Sequence, residues 1–304
     1  MKYVLLVHGG AGAINRKMIS SKRDAYLNGL ESALRAGGRI LEKGGSALDA
    51  VEKAVIDLEN NPIFNAGKGS VLTHDGEVEL DASIMEGKGR QAGAVCGLRN
   101  ITNPISAARC VLQESEHVLL SAKGALRFAN AMGFEQVTDG YFFTEERKAQ
   151  LEKALKTDRV FLDHDSDEKH GTVGAVALDL EGNLAAATST GGLTNKKWGR
   201  VGDSPLIGAG TWADNRSCAV SCTGYGEAFI RCLTAYEVGA RILFGGSSLE
   251  KAGDAAIHQS IGELGATGGL IAVDRMGNYH MPFNSAGMFR GVLMKGREPE
   301  VRIF

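Results

Sequence analysis

The chain has 304 residues, of which 43% are hydrophobic and 23% charged, with a formal net charge of -2. These values suit a folded globular protein with a core of normal size and exclude an intrinsically disordered chain. The balanced charge argues against nucleic acid as a partner, and no stretch approaches the roughly 20 apolar residues of a membrane-spanning helix. Glycine is the outlier, with 41 residues against 5 prolines, which implies many tight turns and backbone-lined pockets. Five cysteines (Cys96, Cys110, Cys218, Cys222 and Cys232) form an odd set without a CxxC pair. They read as buried free thiols of a cytoplasmic protein.

In chain order, the apolar run Lys2 to Val7 enters His8-Gly9-Gly10-Ala11-Gly12, which predicts a buried strand opening into a glycine loop. The run is too short for a secretory signal. Tyr26, Leu27, Leu30, Ala33, Leu34, Ile40 and Leu41 then fall on one helical face that ends at Gly44-Gly45. Ser46, with Asp49 three residues on, predicts the N-cap of a second helix burying Ala47, Ala50, Val51, Ala54, Val55 and Leu58 and stopping before Asn61-Pro62. Val71 to Met85 reads as a hairpin around Asp75-Gly76, and Ala92 to Leu98 as a strand. Two helices are expected between Ile105 and Met132, and a charged one over Thr144 to Leu155. The polar segment Thr157 to His170 is the best linker.

Beyond it the composition changes abruptly. Gly171 to Leu178 and Leu184 to Thr190 are β-like arms around a turn at Asp179 to Asn183, and Gly269 to Asp274 with Tyr279 to Phe283 repeats that plan. Two helical patterns lie between them, near Glu227 to Phe244 and, with Ser248 as cap, Ser248 to Leu264. Hairpins with consecutive helix pairs predict an α+β fold with antiparallel-rich sheets, not a parallel doubly wound one.

A lone threonine starting a strand is usually structural. Thr172 differs because it follows a polar linker, is preceded by a glycine that lets the chain bend, and opens an apolar strand that would hold it rigidly. If the Gly171–Thr172 bond breaks, Thr172 gains a free α-amine with a reference pKa of roughly 7.7–8.0. Nucleophile and base then share one residue, which removes the need for a Ser-His-Asp set, and no GxSxG elbow is present. Thr188-Ser189-Thr190-Gly191-Gly192 reads either as a strand end with solvated hydroxyls or as a hydroxyl donor beside the nucleophile. Arg200 and Asp203 are either a surface pair of little worth or a clamp for the carboxylate and ammonium of an amino acid. Cys222 to Glu227 leads into a helix and offers N–H groups to an oxyanion, or is simply a loop. His8 reads as structural, bonded to the glycine loop, and His170 as a solvated linker residue.

Taken together, GTVGAVALDLEGNLAAATSTGGLTNK, GRVGDSPLIGAGTWADN and SCTGYGEAFIR, with HGGAGAI, NPIFNAGKGSV and ELDASIMEG earlier, resemble the plant-type L-asparaginase / isoaspartyl aminopeptidase family over nearly the whole chain. The resemblance implies an N-terminal nucleophile hydrolase with a four-layer αββα sandwich, self-cleaved into an α subunit (1–171) and a β subunit (172–304). It implies a dimer of αβ pairs acting on asparagine and β-aspartyl dipeptides. Thr172 matches the nucleophile, and Thr190 its supporting hydroxyl. Arg200 and Asp203 match the substrate clamp, Thr223 and Gly224 the oxyanion hole, and Asn65 an asparagine lining the site. No cofactor for catalysis is implied. A structural sodium is implied, held largely by backbone carbonyls of Leu58, Glu59, Asn61, Phe64, Ala66 and Lys68. Three features depart from the family pattern: Tyr225 where a small threonine is common, the bulky Trp198 before Gly199, and a short linker.

Two other readings stand beside this one. A glycosylasparaginase is related chemistry, but such enzymes usually carry secretion signals and disulfides. A phosphate- or nucleotide-binding module could be built on HGGAG and CTGYGE, but neither glycine loop is followed by Lys-Ser/Thr and no GxGxxG opens a βαβ unit.

Overall fold

The computed structural model describes residues 2–12, 14, 21–157 and 171–304. His170 and the body of the expected linker lie outside the described residues. In chain order, strand β1 (Val4–Gly12) precedes helices α1 (Arg23–Glu42) and α2 (Ala47–Glu59), strands β2 (Leu80–Glu86) and β3 (Ala92–Leu98), and helix α3 (Pro104–Glu114). Then come β4 (Leu119–Ser121), α4 (Ala122–Ala131) and α5 (Glu145–Thr157). The last part of the chain holds β5 (Val173–Leu178), β6 (Leu184–Thr190), β7 (Thr211–Ala213), β8 (Cys218–Gly224), α6 (Gly226–Cys232), α7 (Thr234–Leu243) and α8 (Leu249–Asp254). It ends with β9 (Gly268–Asp274), β10 (Tyr279–His280), β11 (Gly287–Met294) and β12 (Glu300–Arg302).

The strands form an eight-stranded sheet of order β12-β11-β1-β5-β6-β2-β3-β4 and a four-stranded sheet of order β10-β9-β8-β7. Among the described strand pairs only β3 with β4 is parallel, as the hairpin-rich sequence leads one to expect. Side chains alternate faces along a strand, and the apolar residues divide accordingly. Leu5 and Val7 of β1, Ala175 and Ala177 of β5, and Ala185 and Ala187 of β6 join a cluster with Leu30, Leu34, Val51 and Val55 of the α1–α2 pair. Their neighbours Val4, Leu6, Val176, Leu178 and Ala186 instead meet Ala219, Ile271 and Val273 of the smaller sheet. The other face of that sheet, with Val220, Leu270 and Ala272, packs on Phe229, Val238 and Ile257.

Caps follow the local chemistry. Ser46 Oγ accepts from the Asp49 N–H at 3.1 Å, and Ser248 Oγ from the Lys251 N–H at 3.3 Å. Four sequence expectations are corrected. The first arm of the Asp75-Gly76 hairpin is not a strand: Leu72 O and the His74 N–H pair with residues 195 and 196, so β2 pairs with β3 and β6 instead. The segment from Ile105 to Met132 contains β4 between its helices. The pattern from Glu227 to Phe244 breaks at Leu233, whose φ of +50° ends α6 and starts α7. After α8 the backbone continues as a π-helix over Ala255–Ile261. In addition, β8 and β11 lie where no strand was expected. β11 lies one strand in from the sheet edge, pairing with both β1 and β12.

Candidate active site

The ends of three strands converge on one small cleft. Thr172 immediately precedes β5, and the β5–β6 register pairs Val173 with Ser189, which sets Thr172 beside Thr190. The cleft is lined by Gly171, Thr172, Thr190, Gly192, Leu193, Arg200, Gly202, Asp203, Ser204 and Gly224. Its volume is about 20 Å³, room for about one water.

The Gly171–Thr172 peptide lies hard against β1. A β-bulge at His8/Gly10 interrupts the β1–β11 register, and Gly10 adopts φ +115°. A Cβ there would stand 2.6 Å from Gly171 N, and a Cβ on Gly171 would stand 2.8 Å from Thr223 Oγ1. Both positions therefore require glycine, on steric grounds for Gly171 and on steric and conformational grounds for Gly10. Thr223 Oγ1, from the end of β8, also accepts from the Ala11 N–H at 3.3 Å. Thr172 Oγ1 is buried and shares a hydrogen bond of 3.2 Å with Ser204 Oγ. Thr190 Oγ1 accepts from the Gly192 N–H at 3.0 Å, shaping the turn after β6.

Arg200 and Asp203 come from the loop between β6 and β7. The Arg200 guanidinium forms a fork with Glu227, Nε to Oε1 at 2.9 Å and Nη2 to Oε2 at 3.0 Å. Burial acts to raise the Glu227 carboxyl, but this fork holds it below the usual range. Asp203 is fully enclosed. Burial pushes its carboxyl up to about 7, with the Arg200 charge pulling the other way, and its Oδ2 has no hydrogen-bond partner among the described residues. An uncompensated buried carboxylate oxygen beside a small cleft suits a cationic ligand.

Asn65 is placed one shell behind the cleft. Its Nδ2 donates to Gly192 O at 2.8 Å and its Oδ1 accepts from the Val71 N–H at 3.0 Å, so it braces the turn that carries Gly192. The segment of Leu58, Glu59, Asn61, Phe64, Ala66 and Lys68 runs from the last turn of α2 into the loop after it. Glu59 Oε1 accepts from Ser189 Oγ at 2.6 Å and from the Ile105 N–H at 3.0 Å, and burial pushes the Glu59 carboxyl up to about 8. The loop closes on itself. Lys68 N donates to Glu59 O at 2.7 Å, and Gly67 and Gly69 turn through φ +49° and +99°.

His8 is corrected in its partner: its Nε2 bonds Ser221 Oγ at 2.9 Å, not the glycine loop. Burial lowers its imidazole to about 3, so the ring is neutral at physiological pH. Tyr225 is absent from the cleft lining and packs against the cluster under α6 and α7. Trp198 is 98% exposed. Sequence reasoning missed Ser204 and Glu227. Both sat inside the quoted motifs, but nothing in a serine or a glutamate alone announces its partner.

A family model described as "Asparaginase" matches residues 1–303. The "Isoaspartyl peptidase" of Escherichia coli (strain K12) is 49% identical, with 100% of this chain and 96% of that protein aligned. The "Isoaspartyl peptidase/L-asparaginase" of Mus musculus is 45% identical over 97% of this chain and 89% of its own length. The protein of the same name from Xenopus laevis is 44% identical over 95% and 91%. The motifs, the converging strand ends and these full-length similarities agree: the chain belongs to the asparaginase family of hydrolases.

Proposed function

We propose that the chain cuts itself between Gly171 and Thr172 and that the freed Thr172 hydrolyses the side-chain amide of asparagine and the isopeptide bond of β-aspartyl dipeptides. The observation that carries this reading is the placement of the Gly171–Thr172 peptide. It lies against Gly10 and Thr223 Oγ1 in the same cleft that holds Thr190, Arg200 and Asp203. The similar proteins named for isoaspartyl peptidase and asparaginase activity support the substrate class.

In maturation, Thr172 Oγ attacks the Gly171 carbonyl carbon, the C–N bond breaks, and water hydrolyses the ester to leave fragments 1–171 and 172–304. In turnover, the new α-amine takes the hydroxyl proton and Thr172 Oγ attacks the β-carbonyl of the substrate. The Thr223 hydroxyl and the Gly224 main chain face the developing oxyanion. Ammonia or an amino acid leaves, and water releases aspartate from the β-aspartyl enzyme. Arg200 takes the α-carboxylate and Asp203 the α-ammonium. Gly171 itself lines a cleft with room for about one water, so substrate binds once the segment before Thr172 has moved away.

The assembly we infer is a four-layer αββα sandwich, supported by one apolar cluster between the two sheets and one between each sheet and its helices, paired into a dimer of αβ units. Among the described residues no helix is long and apolar enough to cross a membrane, and we read the protein as cytoplasmic. The closed loop after α2 suits a hard cation that takes oxygen ligands. The carbonyls of Leu58, Glu59, Asn61, Phe64, Ala66 and Lys68 would hold sodium there, stiffening the segment that braces Gly192.

Thr172→Ala is expected to remain a single chain by intact mass and to lose about a thousandfold or more of its ammonia release from asparagine. Residual cleavage and turnover near wild type would remove Thr172 from both roles. Because Asp203 must be charged to bind the ammonium and burial holds it up to about 7, binding below that pH requires loss of a proton. KM for asparagine is therefore expected to rise about tenfold per pH unit as pH falls below about 7, and a KM flat from acid to neutral pH would contradict this. Replacing potassium or choline chloride by sodium chloride at equal ionic strength is expected to raise Tm by a few degrees, through preferential binding to the folded state. Equal Tm values in all three salts would argue against sodium.

A further inference from the structure

Behind the nucleophile, between the two sheets, runs an unbroken chain of buried side chains. Ser83 Oγ lies 2.6 Å from the Ser204 carbonyl oxygen and 2.7 Å from Thr211 Oγ1. Thr211 Oγ1 lies 2.5 Å from Thr188 Oγ1, which lies 2.7 Å from Ser221 Oγ. Ser221 Oγ ends the run on His8 Nε2 at 2.9 Å. Ser83, Thr188, Thr211, Ser221 and His8 are all buried, and strands of both sheets contribute.

Each hydroxyl carries one hydrogen, and a neutral imidazole carries one. A carbonyl only accepts, so Ser83 spends its hydrogen on the Ser204 carbonyl. Thr211 Oγ1 donates to Thr188 Oγ1, Thr188 and Ser221 share a hydrogen bond that either can donate, and the donor between Ser221 and His8 follows the imidazole tautomer. Thr188 Oγ1 also donates to Gly210 O at 3.2 Å. Burial keeps the His8 ring neutral, against the opposing pull of a hydrogen bond to the Thr172 backbone. The chain grips Ser204 by its carbonyl alone. The Ser204 hydroxyl is left over, and it stands 3.2 Å from Thr172 Oγ1.

We propose that Ser204 is the proton-carrying hydroxyl of the self-cleavage step, held against Thr172 Oγ1 by the chain Ser83–Thr211–Thr188–Ser221–His8. This rests on the reading of Thr172 as an autoprocessing nucleophile. In the uncut chain the Thr172 nitrogen is an amide and cannot act as base, so the hydroxyl needs help that the mature enzyme does not. As Thr172 Oγ bonds to the Gly171 carbonyl carbon, its proton passes to Ser204 Oγ. Ser204 gives its own hydrogen to the Thr172 nitrogen, only three bonds from that oxygen, as the C–N bond breaks. The serine is returned unchanged and the new amine leaves neutral. Once cut, the α-amine of Thr172 takes over the proton. Ser204 touches a reacting atom; Ser83, Thr211, Thr188, Ser221 and His8 are positioning residues.

The test follows two rates in the full chain: appearance of the fragments by intact mass, and ammonia release per cut chain. For Ser204→Ala, cleavage is expected to slow at least about tenfold more than turnover, since positioned proton transfer typically contributes about 10²–10⁴-fold. Ser83→Ala keeps the Ser204 hydroxyl and frees its carbonyl, and it is expected to show the same bias toward cleavage, to a smaller extent. Equal losses in both rates would make Ser204 a structural residue and overturn the proposal, as would no loss in either. If Ser204→Ala does not fold, by its melting curve, Ser83→Ala decides on the same criteria. The wild-type chain in the same assay separates the two levels. If it stays uncut, the assignment of Thr172 fails; if it is cut and the variants keep pace with it, only the role of Ser204 fails.

Discussion

Everything at the site depends on two sheets meeting closely enough for the end of β8 to reach the start of β5. That approach is possible because the facing residues are small. Gly174 has no room for a Cβ against Ser221 Oγ, and Ala186 of β6 and Ala219 of β8 keep the facing surfaces slim. Larger side chains here would push Thr223 away from Gly171 and lengthen the hydroxyl contacts between the sheets. The interior is apolar toward the far ends of these strands and polar toward the cleft. The hydrophobic clusters supply the association, and the buried hydroxyls supply the registration, because each lost partner would leave an unsatisfied group in a low-dielectric space.

The electrostatics of the cleft are arranged around a buried acid. Asp203 is held near neutrality by desolvation, with Arg200 close enough to oppose this and Glu227 occupying the arginine's fork. Without substrate the arrangement is self-consistent: cation paired, acid partly protonated. An amino-acid substrate brings one charge of each sign, so it can satisfy Asp203 and add a carboxylate beside Arg200 without changing the net charge of the pocket. That is a physical reason for a zwitterionic amino acid to be favoured over a simple amide.

Much of this was legible in the sequence, and the failures have identifiable causes. Apolar runs bounded by glycine or turn residues placed β1, β5, β6 and β9, and the Ser46 and Ser248 caps were read from single residues with local partners. The Gly171-Thr172 pair was visible because a composition break and a glycine coincide there. By contrast, β8 and β11 were missed: polar and charged residues interrupt their apolar runs (Ser221 in β8, Arg290 in β11). The arm before the Asp75-Gly76 turn failed because its backbone partners lie more than a hundred residues away, at Asn195 and Lys196. Ser204, Glu227 and the chain from His8 to Ser83 are tertiary facts: their residue types are ordinary and their sequence separations are large. Asn65 belongs to the same class, since the motif placed it near the site and only the fold shows that it supports the Gly192 turn from behind.

The central claim is that Thr172 becomes a chain terminus. The most direct measurement is the intact mass of the wild-type protein under denaturing conditions, from fresh purification through prolonged incubation. The account predicts conversion of the 304-residue chain into two fragments whose masses meet between Gly171 and Thr172, with hydrolytic activity rising in step. A chain that stays whole while hydrolysing asparagine, or that is cut elsewhere, would contradict it.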